Sequence, residues 1–203
     1  MTNGVLVKVC GITRGCDAEA CQALGVDFCG FVFHPPSPRN MTAAAVADIG
    51  TGGMRRVGVF TTHDTDEIRR TMEAARLDYA QLHANQDEAC AEAIGAGRVI
   101  RVCFAVPESP RCAAFLLFDK PFDWRTLRGR VVGQPFFVAG GLDARNVREA
   151  LRVSPTGVDL NSGVESAPGR KDASRIEEVL NAISSSRAVS QIFSRRDAEA
   201  QRQ

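Results

Sequence analysis

The stretch KVCGIT (residues 8–13) decides the fold that the sequence predicts. It follows the apolar run Val5-Leu6-Val7 and leads into a helical pattern that begins near Arg14. An apolar run, a glycine and a helical pattern, in this order, predict a strand, a tight turn and the start of a helix. Strand side chains alternate between two faces, so Lys8 and Cys10 lie on the same face.

The same unit of short strand, loop and helix recurs along the chain. Strand-like runs end near Cys10, Phe33, Phe60, His83, Phe104, Asp119, Ala139 and Leu160. Helical patterns cover about 14–24, 42–50, 64–75, 86–96, 143–152 and 171–183. This alternation is typical of α/β folds, and eight units predict a single compact (β/α)8 TIM barrel. An open doubly wound sheet is the alternative, but no GxGxxG fingerprint follows the first strand.

Two units of the barrel are short. Only Ala105 to Phe118 is left for the fifth helix and the sixth strand, and Pro107 and Pro110 lie within that segment. We therefore expect a reduced fifth helix and a short sixth βα loop. Residues 1–183 are predicted to form the barrel domain. The polar tail, 184–203, is expected to be flexible or a frayed helix.

Composition excludes several classes of protein. The 25 basic and 24 acidic residues nearly balance, so we expect neither a nucleic-acid nor a membrane partner. The seven cysteines include no CxxC pair and the three histidines are scattered, so neither a metal site nor a disulfide framework is predicted. With no signal-peptide pattern at the N-terminus, these features predict a cytoplasmic protein with reduced thiols.

Polar side chains occur at the ends of several predicted strands, in phase with one another. They are Lys8 and Cys10 on strand one, Gln81 and His83 on strand four, Asp119 on strand six, and Asp159 and Asn161 on strand eight. Barrel enzymes carry their active sites at the carboxyl ends of the strands. Because each buried polar group costs stability unless it is paired, agreement among four strands indicates a site.

Cys10 and Asp119 are the candidates for acid–base chemistry. A thiol beside the lysine at position 8 is a candidate low-pKa nucleophile or base, and a buried structural cysteine is the alternative. Asp119 would supply the acid, and a structural aspartate that caps a turn is the alternative.

Three loops suggest how an anionic ligand would be held. Gly140-Gly141 and Ser162-Gly163 follow strands seven and eight, where this fold commonly binds phosphate, although tight turns alone would also explain these glycines. Arg39 lies on the proline-rich loop 34–40, and its fork of donors suits a carboxylate. An ordinary solvated arginine is the alternative.

The chain resembles the phosphoribosylanthranilate isomerase family of tryptophan biosynthesis. The matching segments are KVCGIT (8–13), GVDFCGFVFHPPSPRN (25–40), VGVF (57–60), QLH (81–83), LLFD (116–119), FDW (122–124), AGGLDARNV (139–147), GVDLNSGVES (157–166) and GRKD (169–172). They occur in order over most of the chain, and the family is a single (β/α)8 barrel.

The resemblance implies the Amadori rearrangement of N-(5-phosphoribosyl)anthranilate to 1-(2-carboxyphenylamino)-1-deoxyribulose 5-phosphate. Asp119 matches the general acid and Cys10 the general base. Arg39 matches the residue that holds the anthranilate carboxylate, and Gly140, Gly141, Ser162 and Gly163 match the phosphate site. Lys8, Gln81, His83 and Asp159 are expected around the substrate. The resemblance implies no cofactor or metal and a small phosphoribosyl substrate. We also expect a monomer or weak homodimer.

Two departures from the family pattern keep alternatives open. Lys120-Pro121 replaces a glycine-rich segment between the strand-six aspartate and FDW, and Ala84-Asn85-Gln86 replaces GxE. A degenerate barrel that binds a phosphosugar without turnover is one alternative, which the shortened fifth and sixth units motivate. The related bifunctional sugar isomerase that also serves histidine synthesis is another, but it carries aspartate where Cys10 stands.

Overall fold

Eight parallel strands hydrogen-bond in sequence order and close into a barrel in this computed structural model. The structure describes residues 2 and 4–200, with side chains up to residue 186. The strands are β1 (Leu6–Val9), β2 (Phe28–Phe33), β3 (Arg55–Phe60), β4 (Tyr79–Leu82), β5 (Val99–Cys103), β6 (Phe115–Phe118), β7 (Phe136–Val138) and β8 (Gly157–Leu160). The helices are α1 (Gly15–Ala23), α2 (Ala43–Ala47), α3 (Thr65–Ala74), α4 (Glu88–Ile94), α5 (Val147–Ala150) and α6 (Ala173–Ala200). The predicted (β/α)8 barrel is confirmed.

Alternation along the strands separates two cores. One face of each strand packs against the helices, as Val7 and Val9 of β1 do in the large outer cluster. The other face fills the interior of the barrel, where Val57, Ile100 and Leu117 pack together. This two-sided burial makes the strands nearly continuous in apolar residues, as expected for a parallel sheet covered by helices.

Aromatic rings form a floor at the amino-terminal end of the barrel interior. Phe28 and Phe115 begin β2 and β6, and their ring centroids lie 6.1 Å apart. Phe137 packs 5.5 Å from Phe28 and 5.2 Å from Phe115. It also occupies the space beside Gly157, where a Cβ would collide with its ring. Tyr79 completes the layer at 5.8 Å from Phe28.

Three of the helices begin at side chains that cap the backbone. Thr42, Asp64 and Asp87 accept hydrogen bonds from the third N–H after themselves, in α2, α3 and α4 respectively. Each cap satisfies one of the amide groups that a helix leaves unpaired at its start. The helices therefore begin within two residues of the predicted positions.

The two short units are confirmed. Residues 104–114, between β5 and β6, contain no helix. After β6 the chain makes only one 3₁₀ turn, Trp124–Leu127, whose apolar Trp124 and Leu127 are buried in the outer core. The predicted helix at 143–152 is shorter than expected, because α5 covers four residues and a 3₁₀ turn, Leu151–Val153, follows it.

A hairpin after β8 was not predicted. Its strands are β9 (Glu165–Ala167) and β10 (Arg170–Lys171), and Gly169, at φ +76°, turns the chain between them. The next element, α6, runs past Ser184, where the predicted tail begins. Most of that tail lies outside the residues whose side chains the structure describes. Within the described chain, no helix combines the length and apolar character needed to span a membrane.

Candidate active site

A pocket of about 360 Å³ lies at the carboxyl ends of the barrel strands. Of the predicted site residues, its walls contain Cys10, Arg39, Gln81, His83, Asp119, Gly140, Gly141, Asp159 and Ser162. Lys8 and Gly163 are not among the described residues that line this pocket. A larger cleft of about 620 Å³ lies between α3 and α4 on the outside of the barrel, among surface arginines and acidic residues.

Lys8 is paired with Asp159 beneath the pocket. Its ammonium nitrogen lies 2.9 Å from Oδ1 and 2.8 Å from Oδ2 of the carboxylate. Lys8 is fully buried and its charge is paired with Asp159, so the predicted contact between Lys8 and substrate stays a prediction. Burial lowers the pKa of Lys8, but the charges of Asp159 and Cys10 outweigh this and hold it above its ordinary value. Burial raises the pKa of Asp159, and Lys8 partly opposes that rise.

Cys10 lies directly after β1 and is 5% exposed. Gly30 on β2 leaves the space for it, because a Cβ there would lie 3.0 Å from Sγ of Cys10 and 3.2 Å from Nζ of Lys8. Burial raises the pKa of the thiol, and the charge of Lys8 offsets only part of that rise. The expected low-pKa thiol is therefore corrected: the described pocket favours the protonated form of Cys10, because Lys8 is already paired and the site is buried.

Asp119 follows β6 on the same pocket wall. Its side chain is half-buried, and its Oδ1 accepts a hydrogen bond of 2.8 Å from the backbone N–H of Lys120. The alternation along β6 puts it in phase with the interior residue Leu117, as predicted. Cys10 and Asp119 therefore share one pocket, although they come from strands that are not neighbours in the barrel.

Arg39 is held by a carboxylate that the sequence analysis missed. Its Nε and Nη2 lie 2.9 Å and 2.5 Å from the two oxygens of Glu165. Lys171 also binds Glu165, at 2.6 Å, and reaches Oδ1 of Asn161 at 2.9 Å. Burial alone would raise the pKa of Glu165, but hydrogen bonds from Arg39 and Lys171 lower it to about 2. The carboxylate stays ionised and fixes the guanidinium at the edge of the pocket.

Gly11, in the turn after β1, also helps to place the arginine. Its φ of +72° favours glycine, and a Cβ there would lie 2.5 Å from Cδ of Arg39 and 3.0 Å from Oδ1 of Asn161. The glycine of the KVCGIT stretch thus makes the turn and leaves room for the arginine stem.

Two polar atoms on the β4 side of the pocket have no hydrogen-bond partner among the described residues. They are Oε1 of Gln81, whose side chain is buried, and Nδ1 of His83. Burial lowers the pKa of His83, so a neutral imidazole is favoured near neutral pH. Its ring meets Phe104 edge to face, with the centroids 6.2 Å apart. Unpaired buried polar atoms are costly, and a bound polar ligand would satisfy them.

Two glycine turns close the opposite wall. Gly140 and Gly141 have φ values of +102° and +76°, and their backbone N–H groups have no acceptor among the described residues. Gly163 packs against the carbonyl oxygen of Leu142, which brings the turn at Ser162 against the loop after β7. Backbone donors of this kind are typical of anion sites.

Comparison with known proteins identifies the family. The model of the N-(5'-phosphoribosyl)anthranilate (PRA) isomerase family matches residues 7–182. The chain belongs to this family. The N-(5'-phosphoribosyl)anthranilate isomerase of Desulfovibrio desulfuricans is 44% identical over 198 residues, covering 87% of this chain and 94% of the relative. The protein is thus an isomerase of tryptophan biosynthesis.

Solved structures of family members share the barrel. One describes monomers of the dimeric phosphoribosylanthranilate isomerase of Thermotoga maritima, with 30% identity, a TM-score of 0.77, and coverage of 88% of this chain and 98% of that one. Another phosphoribosylanthranilate isomerase was solved in complex with reduced 1-(o-carboxyphenylamino)-1-deoxyribulose 5-phosphate. It is 32% identical with a TM-score of 0.76, and covers 88% of this chain and 98% of that one.

Three charged residues of this isomerase's pocket region were not predicted from the sequence: Glu165, Lys171 and Lys120. Glu165 and Lys171 lie on the two strands of the unpredicted hairpin, and the Pro168-Gly169 pair between them was the available turn signal. In the sequence Lys120 stands out only as part of a shortened loop, yet its side chain lines the pocket.

Proposed function

We propose that this isomerase converts N-(5-phosphoribosyl)anthranilate to 1-(2-carboxyphenylamino)-1-deoxyribulose 5-phosphate by general acid–base catalysis in the pocket at the strand ends. The observation that carries the proposal is that Cys10 and Asp119 line one pocket. The product is the compound whose reduced form occupies a family member.

Asp119 acts as the acid in this proposal. It donates a proton to the ring oxygen of the ribose as the bond between that oxygen and C1 breaks. The lone pair on the anthranilate nitrogen then forms the double bond to C1, giving a protonated imine. The half-buried carboxyl and the Lys120 N–H on Oδ1 support this role, because they fix the acid in one orientation.

Cys10 acts as the base. Its thiolate removes the proton from C2, and the electron pair moves to neutralise the imine nitrogen and form an enolamine. Tautomerisation of the enolamine gives the ketone at C2, so the reaction is an isomerisation with no redox partner. Burial favours the thiol in the described pocket, and the positive charge of Lys8 partly opposes this. We propose that only a minor thiolate fraction carries the step.

The remaining pocket residues bind the substrate. Arg39 contacts the anthranilate carboxylate with the guanidinium donors that Glu165 leaves unused. Gln81 and His83 offer their unpaired polar atoms to the sugar or the amine. The backbone of Gly140, Gly141 and the Ser162-Gly163 turn holds the phosphate. Lys8 and Asp159 support the floor of the site and set its charge.

The wider setting is also a proposal. We expect residues 1–183 to be the catalytic domain, with 184–203 dispensable for the chemistry. The enzyme would work in the cytoplasm without nucleic-acid or membrane partners, as a monomer or weak homodimer. A dimeric relative supports including the second state.

A fluorescence assay tests the function. Anthranilate and phosphoribosyl pyrophosphate are condensed enzymatically in the cuvette, and decay of the phosphoribosylanthranilate signal is followed. Rapid decay with wild type, background decay with Cys10→Ser and rapid decay with Cys16→Ser would support the proposal. Cys16 is an exposed cysteine outside the described pocket walls and serves as the matched control. Background decay with folded wild type would instead favour a phosphosugar-binding barrel.

A further inference from the structure

The side chain of Lys120 lies across the glycine turn after β7. A Cβ built on Gly140 would lie 3.0 Å from Cγ and 3.5 Å from Cε of Lys120. A Cβ built on Gly141 would lie 3.5 Å from the ammonium nitrogen. Because neither glycine carries a side chain, the lysine stem fits against the turn and its charge lies beside the backbone there.

The donors at this place are unused. The ammonium group of Lys120 has no carboxylate within 4.0 Å and no hydrogen-bond acceptor among the described residues. The N–H groups of Gly140 and Gly141 likewise have no acceptor there. The pocket wall thus presents a positive charge next to two unpaired backbone donors, a combination that suits a phosphate group.

The other charged groups near the pocket are committed to one another. Lys8 is neutralised by Asp159. Arg39 and Lys171 share Glu165, which leaves a single positive charge in that cluster. A phosphate monoester carries about −1.5 to −2 charges near pH 7, and a carboxylate adds one more. Among the described pocket residues, Lys120 is therefore the cation available to the phosphate.

We propose that Lys120 binds the substrate phosphate together with the Gly140-Gly141 backbone and makes the pocket selective for phosphorylated ligands. The short connection after β6 places this lysine on the pocket wall directly after the proposed acid, Asp119. The inference rests on the proposed function for the identity of the ligand.

Binding measurements on two ligands test the proposal. The probes are reduced 1-(o-carboxyphenylamino)-1-deoxyribulose 5-phosphate and the same compound without its phosphate, titrated calorimetrically into the full chain. Lys120→Met should weaken binding of the phosphorylated probe about tenfold or more and change the other less than twofold, since charged hydrogen bonds have that strength. Lys120→Arg should retain most of the affinity. Arg130→Met removes an exposed charge outside the described pocket walls and should change neither affinity.

Steady-state kinetics separate binding from positioning. The loss in Lys120→Met should appear as a raised KM, with inorganic phosphate becoming a weaker competitive inhibitor. Equal weakening of both probes, or a fall in kcat at constant KM, would overturn the proposal and make Lys120 a support for Asp119. A wild type that binds both probes as expected but does not turn over the substrate would contradict the proposed function and leave the role of Lys120 supported.

Discussion

Lys8 and Asp159 form a buried ion pair under the pocket, with the ammonium nitrogen 2.8 Å from the nearer carboxylate oxygen. They come from β1 and β8, the first and last strands, and lie directly opposite each other in the register that closes the barrel. The pair thus joins the two ends of the barrel sequence at the level of the active site.

Removing one partner should cost more than removing both. Asp159→Asn leaves the Lys8 ammonium buried without a counter-ion, and we expect a loss of about 3–5 kcal/mol in the free energy of unfolding. Combining it with Lys8→Met should lose less than Asp159→Asn alone, because no uncompensated charge then stays buried. Urea unfolding of the three variants measures this coupling. Additive losses would show that the two groups do not interact.

Asp119→Asn should lower kcat by about 10²–10⁴-fold, the usual contribution of a positioned general acid. The amide keeps the acceptor for the Lys120 N–H but cannot donate the proton that opens the ring. The phosphoribosylanthranilate assay measures the loss, and Asp66→Asn on the exposed start of α3 is the control. Unaltered turnover would remove Asp119 from its role.

The raised pKa of Cys10 predicts that turnover depends on pH, and Asp119→Asn tests this with Cys10 as the one remaining proposed acid–base residue. In Asp119→Asn, residual turnover should increase about tenfold per pH unit below the thiol pKa, because the thiolate fraction does so. Residual rates measured from pH 6 to 9 test this. A profile already flat at pH 7 would mean that the thiol ionises more readily than its burial indicates.

Arg39 and Glu165 should act together on substrate affinity. Arg39→Ala is expected to raise KM about tenfold or more, since it removes charged hydrogen bonds to the carboxylate. Glu165→Gln should give a smaller rise, because the arginine remains but loses its bidentate anchor. Kinetics with Arg130→Ala as control check both effects. If only Glu165→Gln raised KM, the arginine would have no role in binding.

The lowered pKa of Glu165 makes the fold sensitive to acid. Its folded-state pKa of about 2 lies below the ordinary value, so the ionised group stabilises the fold at pH above about 4.3. That contribution is lost as the pH falls from there toward 2. Thermal unfolding across this range should show a smaller pH dependence for Glu165→Gln than for wild type. Equal slopes would place the acid sensitivity elsewhere.

The barrel and its pocket walls could be predicted from the sequence because both follow from alternation. Predicted strand ends such as Phe33 and Phe60 agree with the structure, since apolar runs in a parallel barrel stop where the loops begin. The same alternation placed Gln81 and His83 on one face, and both line the pocket. Local pattern determines which way a strand residue points.

Alternation could not predict which charged side chains pair with each other or how deeply a side chain is buried. Glu165 reaches Arg39 only because the hairpin after β8 folds back over the loop after β2, a contact between residues far apart in the chain. The burial of Cys10, which raises its pKa, depends on the neighbouring strand and its Gly30. Alternation could place Lys8 on the inner face of the barrel, but it could not show that Lys8 forms an ion pair with Asp159.

The aromatic floor, which consists of Phe28, Tyr79, Phe115 and Phe137, limits the route by which ligands can reach and leave the pocket. Because these rings fill the amino-terminal end of the barrel, the interior is open only at the carboxyl ends of the strands in the part of the chain that the structure describes. We therefore expect substrate to enter and product to leave through the opening at the carboxyl ends of the strands, so that the two compete for one pocket. Product inhibition is therefore expected to be purely competitive. The rate of product dissociation through this opening sets an upper bound on kcat.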